Sequence, residues 1–96
     1  MYKLEIEESA LKEISKLDKH IQIFMMNCVE EIEKNYYEFK KINKIEPLKH
    51  DLKGFYKYKA QTFRIILKEY EEKLLVVVVS VGYRREVYKN LKNKNL

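Results

Sequence analysis

The fold is decided by the stretch Leu74-Leu75-Val76-Val77-Val78-Val79-Ser80-Val81, which is apolar at both alternating positions. A strand with one face in water carries polar residues at every second position, whereas a strand covered on both faces does not. The segment Lys73–Val81 therefore predicts a central strand of a sheet with packing on each side. Gly82 follows it and is expected to end the strand.

Three further segments alternate between apolar and polar residues in the manner of strands. They are Tyr2–Ile6, Phe55–Lys59 and Thr62–Tyr70. Because the last two and the central strand follow one another through tight connections, they are expected to pair in antiparallel fashion. Residues 43–52, which hold the only proline, predict a loop.

Between the first strand and that loop, apolar residues recur at helical spacing. Ser9 and Asp18 are candidate N-caps of two consecutive helices, and Glu86–Lys92 predicts a short terminal helix. The longer helix carries the stripe Ile21, Phe24, Met25, Cys28, Val29, Ile32, Tyr36 and Phe39. The predicted fold class is α+β, in one small domain of residues 1–96. An antiparallel two-helix hairpin packs on one face of a mainly antiparallel four-stranded sheet.

Composition narrows the class of protein. A chain of 96 residues, 46% of them apolar, can bury one small core, which excludes an enzyme with a deep internal cavity. No apolar run reaches the roughly 20 residues of a membrane span, and the N-terminus lacks the apolar stretch of a signal peptide. A single cysteine cannot form an internal disulfide, so we expect a protein of the reducing cytoplasm.

Charge is distributed unevenly along the chain. Residues 1–46 carry a net charge of −2, and residues 47–96 carry +7 together with all three arginines. This asymmetry favours an anionic partner for the second half, most simply nucleic acid or an acidic protein. The alternative is a lysine-rich surface that only keeps the protein soluble.

Strand parity places several cations on one face. Lys57 and Lys59 are two positions apart, so they project from the same side of their strand. If the hairpin turns symmetrically at Ala60-Gln61, Tyr58 opposes Phe63 and Lys57 opposes Arg64. Because like charges directly opposite each other destabilise a sheet, we predict that Lys57, Lys59 and Arg64 serve to bind a phosphate. The alternative is that the three side chains simply spread into water.

Arg84, Arg85 and Tyr88 follow the central strand closely enough to reach the same face. The Tyr88 ring could stack on a base, or it could pack on the sheet as part of the terminal helix. The chain has no zinc-ligand spacing, no glycine-rich phosphate loop and no nucleophile elbow, so we expect no metal or other cofactor.

The order and spacing of these segments resemble the RelE/ParE toxin superfamily, and most of all its RelE branch. The similar stretches cover nearly the whole chain and run from the helical segment at Ala10 through Leu48–Lys59, Phe63–Ile66 and Val78–Tyr88. The resemblance implies a ribosome-dependent endoribonuclease that cleaves mRNA in the decoding site and inhibits translation. It also implies a RelB-like antitoxin as partner, in a complex expected to be a higher hetero-oligomer.

The resemblance further implies which residues act on RNA. The catalytic positions are expected at Lys57, Lys59, Arg64, Arg84 and Tyr88, and further RNA contacts at Lys49, Lys53 and Arg85. In this scheme Lys59 is the base, Arg84 acts at the leaving oxygen, Lys57 and Arg64 stabilise the transition state, and Tyr88 orients the nucleotide.

Three alternatives stay open at the level of sequence, and one of them is a catalytically inactive relative that only binds nucleic acid. The chain is shorter between Gly82 and Tyr88 than the RelE pattern, which leaves open whether Arg84 or Arg85 acts at the leaving oxygen. The ParE branch shares the fold but inhibits DNA gyrase without nuclease activity.

The antitoxin is expected to act in one of two ways. An acidic segment could cover the cations directly, or an apolar contact could displace the terminal helix around Val87 and Leu91. We expect displacement, because this segment is short and follows a glycine, so it should detach at little cost.

Overall fold

A computed structural model describes residues 2–94 of the chain. Within them lie three α-helices and five strands, along with two short 3₁₀ turns at His50–Leu52 and Glu71–Lys73. In chain order the elements are β1 (Lys3–Ile6), α1 (Glu8–Ser15), α2 (Lys19–Lys41), β2 (Ile45–Pro47), β3 (Phe55–Ala60), β4 (Phe63–Tyr70), β5 (Leu75–Tyr83) and α3 (Val87–Lys92). None of the helices in residues 2–94 is long and apolar enough to cross a membrane.

The strands form one sheet in the order β1-β5-β4-β3-β2. β1 pairs with β5 in parallel, and the remaining neighbours are antiparallel. The valine-rich strand β5 lies inside the sheet, between β1 and β4, and is covered on both faces, as its sequence predicts. Val76 and Val78 enter one apolar core, whereas Val77 and Val79 enter another on the opposite face.

The helix face of the sheet is the face covered by α1 and α2. α1 buries Ala10 and Ile14 against it, and α2 presents its apolar stripe to it through Met25, Cys28, Val29, Ile32 and Tyr36. This first core also contains three residues of β4, namely Phe63, Ile65 and Leu67. The predicted helical hairpin and its packing on one face are therefore confirmed.

The α3 face is the opposite face, which carries a second and smaller core. Val87 and Leu91 of α3 are 0% and 1% exposed there, and they pack with Phe55, Ile66, Val77 and Val79. Leu48 and Leu52, from the segment between β2 and β3, cover the edge of this core. The sheet is thus enclosed by helices on both faces, although α3 covers only part of its face.

The α+β class is confirmed, but the predicted number of strands is wrong. Ile45–Pro47, which was expected to lie in a loop, forms a fifth strand paired with β3. A strand of three residues is too short to display an alternation, and its proline is compatible with an edge position only. This correction matters because β2 brings Glu46 next to Lys57.

The predicted register of the β3–β4 hairpin is also wrong. The turn lies at Gln61-Thr62, so Ala60 pairs with Phe63 and Lys59 pairs with Arg64. Gln61 adopts a left-handed conformation with φ of 58°, which shapes the tight turn one residue beyond the predicted site. The shift moves each pair by two positions, so the side chains keep the faces that parity predicts.

Candidate functional site

A basic cluster of Lys57, Lys59 and Arg64 lies on the α3 face. Lys59 is directly opposite Arg64 across the β3–β4 pair, and Lys57 is opposite Ile66. Phe55 and Ile66, which share the parity of these cations, are buried in the second core. The alternation of side chains along β3 and β4 therefore buries two apolar residues under α3 and places three cations on the same face, outside the area that α3 covers.

Glu46 of β2 joins the basic cluster from the neighbouring strand. The Lys59 ammonium donates to its Oε1 at 2.7 Å, and the Lys57 Nζ lies 3.9 Å from its Oε2. The hydrogen bond from Lys59 lowers the pKa of Glu46 most, and the charges of Lys59, Lys57 and Arg64 lower it further. The cluster is thus three cations around one carboxylate, which was not expected from the sequence.

The Arg64 guanidinium is anchored to the hairpin turn. Its Nη1 donates to the backbone carbonyl oxygens of Gln61 and Phe63, both at 2.7 Å. Gly82 is the partner of Arg64 on β5, so no neighbouring side chain lies beside it on that strand. Arg64 is therefore held in place by backbone, whereas Glu46 is the one ion-pair partner of the two lysines within residues 2–94.

Tyr88 of α3 lies half-buried at the border between the second core and the basic cluster. Burial raises the pKa of its hydroxyl, while the neighbouring Arg64 and Lys59 act to lower it and Glu46 acts to raise it. The phenol thus lies close enough to Arg64, Lys59 and Glu46 to be affected by their charges. Its position follows from Val87 and Leu91, whose burial fixes α3 on the sheet.

Arg84 and Arg85 lie in the exposed turn between β5 and α3. The Arg84 N–H donates to the Thr62 carbonyl at 2.9 Å, which ties this turn to the β3–β4 hairpin. The two arginines line a shallow groove of about 290 Å³ with Thr62, Tyr83 and Glu86. Within residues 2–94 no ion pair or side-chain hydrogen bond joins them to the basic cluster.

Lys49 and Lys53 flank the 3₁₀ turn between β2 and β3, and both are exposed. Leu48 and Leu52 of the same segment pack into the second core, and Asp51 pairs with Lys92 of α3 at 3.4 Å. The segment therefore lies against the α3 side of the sheet, which also carries the basic cluster.

Sequence analysis missed Glu46, whose carboxylate contacts Lys57 and Lys59. Its only signal is its place directly before Pro47, a residue that sheets tolerate at an edge. Parity within β3 could not reveal it, because it belongs to another strand. No group of three or more histidine, cysteine, aspartate or glutamate side chains in residues 2–94 is arranged to hold a metal ion.

Comparisons with known proteins place this geometry in context. Residues 4–88 match the family model of the ParE toxin of type II toxin–antitoxin systems, parDE. No curated protein sequence gives a significant match.

Solved structures with a similar fold include three from E. coli. The isolated RelE toxin is 28% identical and is covered over 100% of both chains, with a TM-score of 0.64. A double arginine-to-alanine mutant of RelE in the free state is 27% identical over 99% of this chain and 98% of that one, with a TM-score of 0.70. The intact RelBE toxin–antitoxin complex has a chain 26% identical, with coverage of 86% and 96% and a TM-score of 0.64.

Proposed function

The chain belongs to the ParE toxin family of type II toxin–antitoxin systems, and we propose that it is a ribosome-dependent endoribonuclease that cleaves mRNA and inhibits translation. The observation that carries the proposal is the basic cluster with Tyr88 beside it on one open face. Three cations around an exposed surface suit a phosphate, and an adjacent aromatic ring suits a base. The similarity to the E. coli RelE toxin over the whole chain adds support, because it agrees with the RelE resemblance from which mRNA was inferred as the substrate.

The proposed reaction is attack of a ribose 2′-oxygen on the adjacent phosphorus. The 2′-hydroxyl gives its proton to a base, the new P–O bond forms, and the bond to the 5′-oxygen breaks. The leaving oxygen then takes up a proton, and the products are a 2′,3′-cyclic phosphate and a free 5′-hydroxyl. Lys57 and Arg64 stabilise the extra negative charge on the nonbridging phosphate oxygens, while Tyr88 orients the nucleotide.

Lys59 is proposed as the base, and Arg84 as the group at the leaving oxygen. In this structure the Lys59 ammonium donates to Glu46, so it must leave that contact and lose a proton before it can accept one. Arg84 starts from the exposed turn, so substrate has to bring its side chain toward the basic cluster. Catalysis therefore depends on a bound and positioned mRNA, because the release of Lys59 and the movement of Arg84 both follow its binding.

Dependence on the ribosome follows from the openness of the site. The side chains of Lys57 and Lys59 are 27% and 45% exposed, so water reaches both amines. Such a surface supplies charge but cannot hold a flexible strand in line for attack, and that positioning contributes several kcal/mol or more to catalysis. The ribosome would supply it by fixing the mRNA backbone in the decoding site.

The proposed partner is a RelB-like antitoxin, as in the RelBE complex of E. coli, and the toxin–antitoxin complex is proposed to be a higher hetero-oligomer. Displacement of α3 by the antitoxin would move Tyr88 away from the basic cluster. It would also expose Val87 and Leu91, which are almost fully buried, at about 1.5–3 kcal/mol for each side chain. The antitoxin must therefore replace this apolar contact, so detachment costs more than the sequence alone suggested.

Gyrase inhibition is the second candidate function, because the family model that matches residues 4–88 is that of ParE. A gyrase inhibitor would not need Lys57, Lys59 and Arg64 to converge with Arg84, and within residues 2–94 no ion pair or side-chain hydrogen bond joins Arg84 to them. The two functions therefore differ in whether the basic cluster is essential.

The test is inducible expression without antitoxin, followed by mapping of mRNA 5′ ends. We expect cuts in phase with codons, and we expect Lys59→Met and Arg64→Met to lower the cleavage rate about 100-fold or more. Lys34→Met is the matched control, since Lys34 is exposed on α2 and forms no ion pair within residues 2–94. Intact mRNA together with DNA damage would instead support gyrase inhibition.

A further inference from the structure

Glu46 occupies the place on the lysines that a phosphate would need. It is opposite Lys57 in the β2–β3 register, and its two oxygens take contacts from Lys59 at 2.7 Å and Lys57 at 3.9 Å. A carboxylate and a phosphodiester present similar pairs of anionic oxygens to such donors. An incoming phosphate and Glu46 therefore compete for the same two ammonium groups.

The contacts of Glu46 with Lys57 and Lys59 can be exchanged for those of another anion at little cost in stability. The Glu46 side chain is 31% exposed and that of Lys59 is 45% exposed, and ion pairs at this exposure contribute little to stability. Both lysine side chains are long and flexible, so they can follow a new anion without movement of the backbone. Arg64, in contrast, is held by two backbone carbonyl oxygens and would stay in place when the anion changes.

Charge favours the exchange as well. The basic cluster carries three positive charges, from Lys57, Lys59 and Arg64, against the single negative charge of Glu46. These four side chains together therefore have an excess of positive charge. A bound phosphodiester reduces that excess, whereas Glu46 can turn toward water without leaving a buried charge unpaired. Removal of the Glu46 charge should therefore make the site more attractive to anions.

We propose that Glu46 is an intramolecular competitor of the substrate phosphate, holding Lys57 and Lys59 until an RNA phosphodiester binds and then yielding them to it. The identity of the anion rests on the function proposed above. The consequence is selectivity: either RNA must break the Glu46 contacts, but free RNA must also lose its flexibility on binding, whereas an mRNA held in the ribosome is already positioned. Glu46 thus weakens binding of bulk RNA.

The experiment measures binding of the full chain to a fluorescently labelled, unstructured RNA oligonucleotide with non-cleavable 2′-O-methyl riboses. Glu46→Gln keeps the shape of the side chain and removes its charge, and we expect it to tighten binding about two- to fivefold near physiological salt. Glu30→Gln is the matched control, because Glu30 is exposed on α2 and forms no ion pair within residues 2–94. It makes the same change in net charge and should leave affinity within about 1.5-fold.

A double-mutant comparison shows whether the effect passes through the lysines. In a Lys57→Met and Lys59→Met background, Glu46→Gln should no longer tighten binding, because no lysine is left to release. Thermal unfolding of each variant checks that β2 remains paired. Equal tightening by Glu46→Gln and Glu30→Gln, or tightening that persists without the lysines, would overturn the proposal.

A second probe separates this inference from the proposed function. If Glu46→Gln tightens binding of inorganic pyrophosphate but expression of the wild type leaves mRNA intact, the competition by Glu46 is supported and the ribonuclease proposal is not. If wild type cuts mRNA in phase with codons but Glu46→Gln binds neither probe more tightly, the ribonuclease stands and the competition is excluded.

Discussion

Two carboxylates on the same sheet bind lysines in different surroundings, one largely buried and the other partly exposed. Glu69 of β4 lies on the helix face, where its side chain is only 11% exposed, and accepts hydrogen bonds from Tyr2, Tyr36 and Lys40 at 3.1, 2.6 and 2.8 Å. Glu46 of β2 lies on the α3 face, is 31% exposed and contacts two lysines. Each therefore holds at least one lysine, but only Glu69 is enclosed.

The pKa of both carboxylates is lowered, in each case chiefly by a hydrogen bond from a lysine. Burial alone raises the pKa of Glu69, but the hydrogen bonds from Lys40 and Tyr36 outweigh it. The pKa of Glu46 is lowered first by the hydrogen bond from Lys59. Glu69 has one cation and two hydroxyls to match its oxygens, whereas Glu46 faces more positive charge than it can neutralise. Glu69, whose charge is balanced by its partners, stabilises the fold. Glu46 leaves part of the surrounding positive charge unneutralised, so another anion can bind there.

The largest expected difference is in stability. Glu69→Ala leaves the half-buried Lys40 and the hydroxyls of Tyr2 and Tyr36 without their acceptor, so we expect the free energy of unfolding to fall by about 2–4 kcal/mol. Glu46→Ala, the same truncation at the exposed site, should leave it nearly unchanged. Denaturant unfolding of both variants measures this. Equal losses would show that the two carboxylates play the same structural role.

An intermediate difference is expected in acid. Because the pKa of Glu69 is lower in the folded protein than its ordinary value of 4.5, its contribution is fully present above about that pH and is lost as pH falls through the folded pKa. The gap in unfolding temperature between wild type and Glu69→Gln should therefore narrow between pH 7 and pH 3. A gap that stays constant over this range would contradict the charged role of Glu69.

The smallest expected difference is in the response to salt. At about 1 M salt the screening length falls to roughly 3 Å, which affects exposed charges much more than enclosed ones. The carboxyl pKa of Glu46, followed by NMR, should rise back toward its ordinary value, while that of Glu69 stays lowered. If both values move together, the two sites are equally open to solvent and the comparison fails.

Much of the candidate site could be predicted from particular residues. Lys57, Lys59 and Arg64 were assigned to one face by parity, and that assignment survived an error of two positions in the predicted hairpin register. Glu46 could not be predicted, because Ile45–Pro47 is too short to show a strand pattern. The position of α3 on the second core was equally out of reach, since Val87 and Leu91 do not reveal which face of the sheet covers them.

By itself, the sequence determined which side chains share a face, because the direction of a side chain along a strand follows from the backbone period of two and needs no partner. The run of valines likewise determined that β5 is enclosed on both sides. Only the tertiary structure decided that Glu46 meets Lys59 at 2.7 Å and that Tyr88 stands beside them. The physical reason is that contacts between strands depend on turn geometry and on where a short edge strand docks. Neither can be predicted from the residue pattern of a single segment.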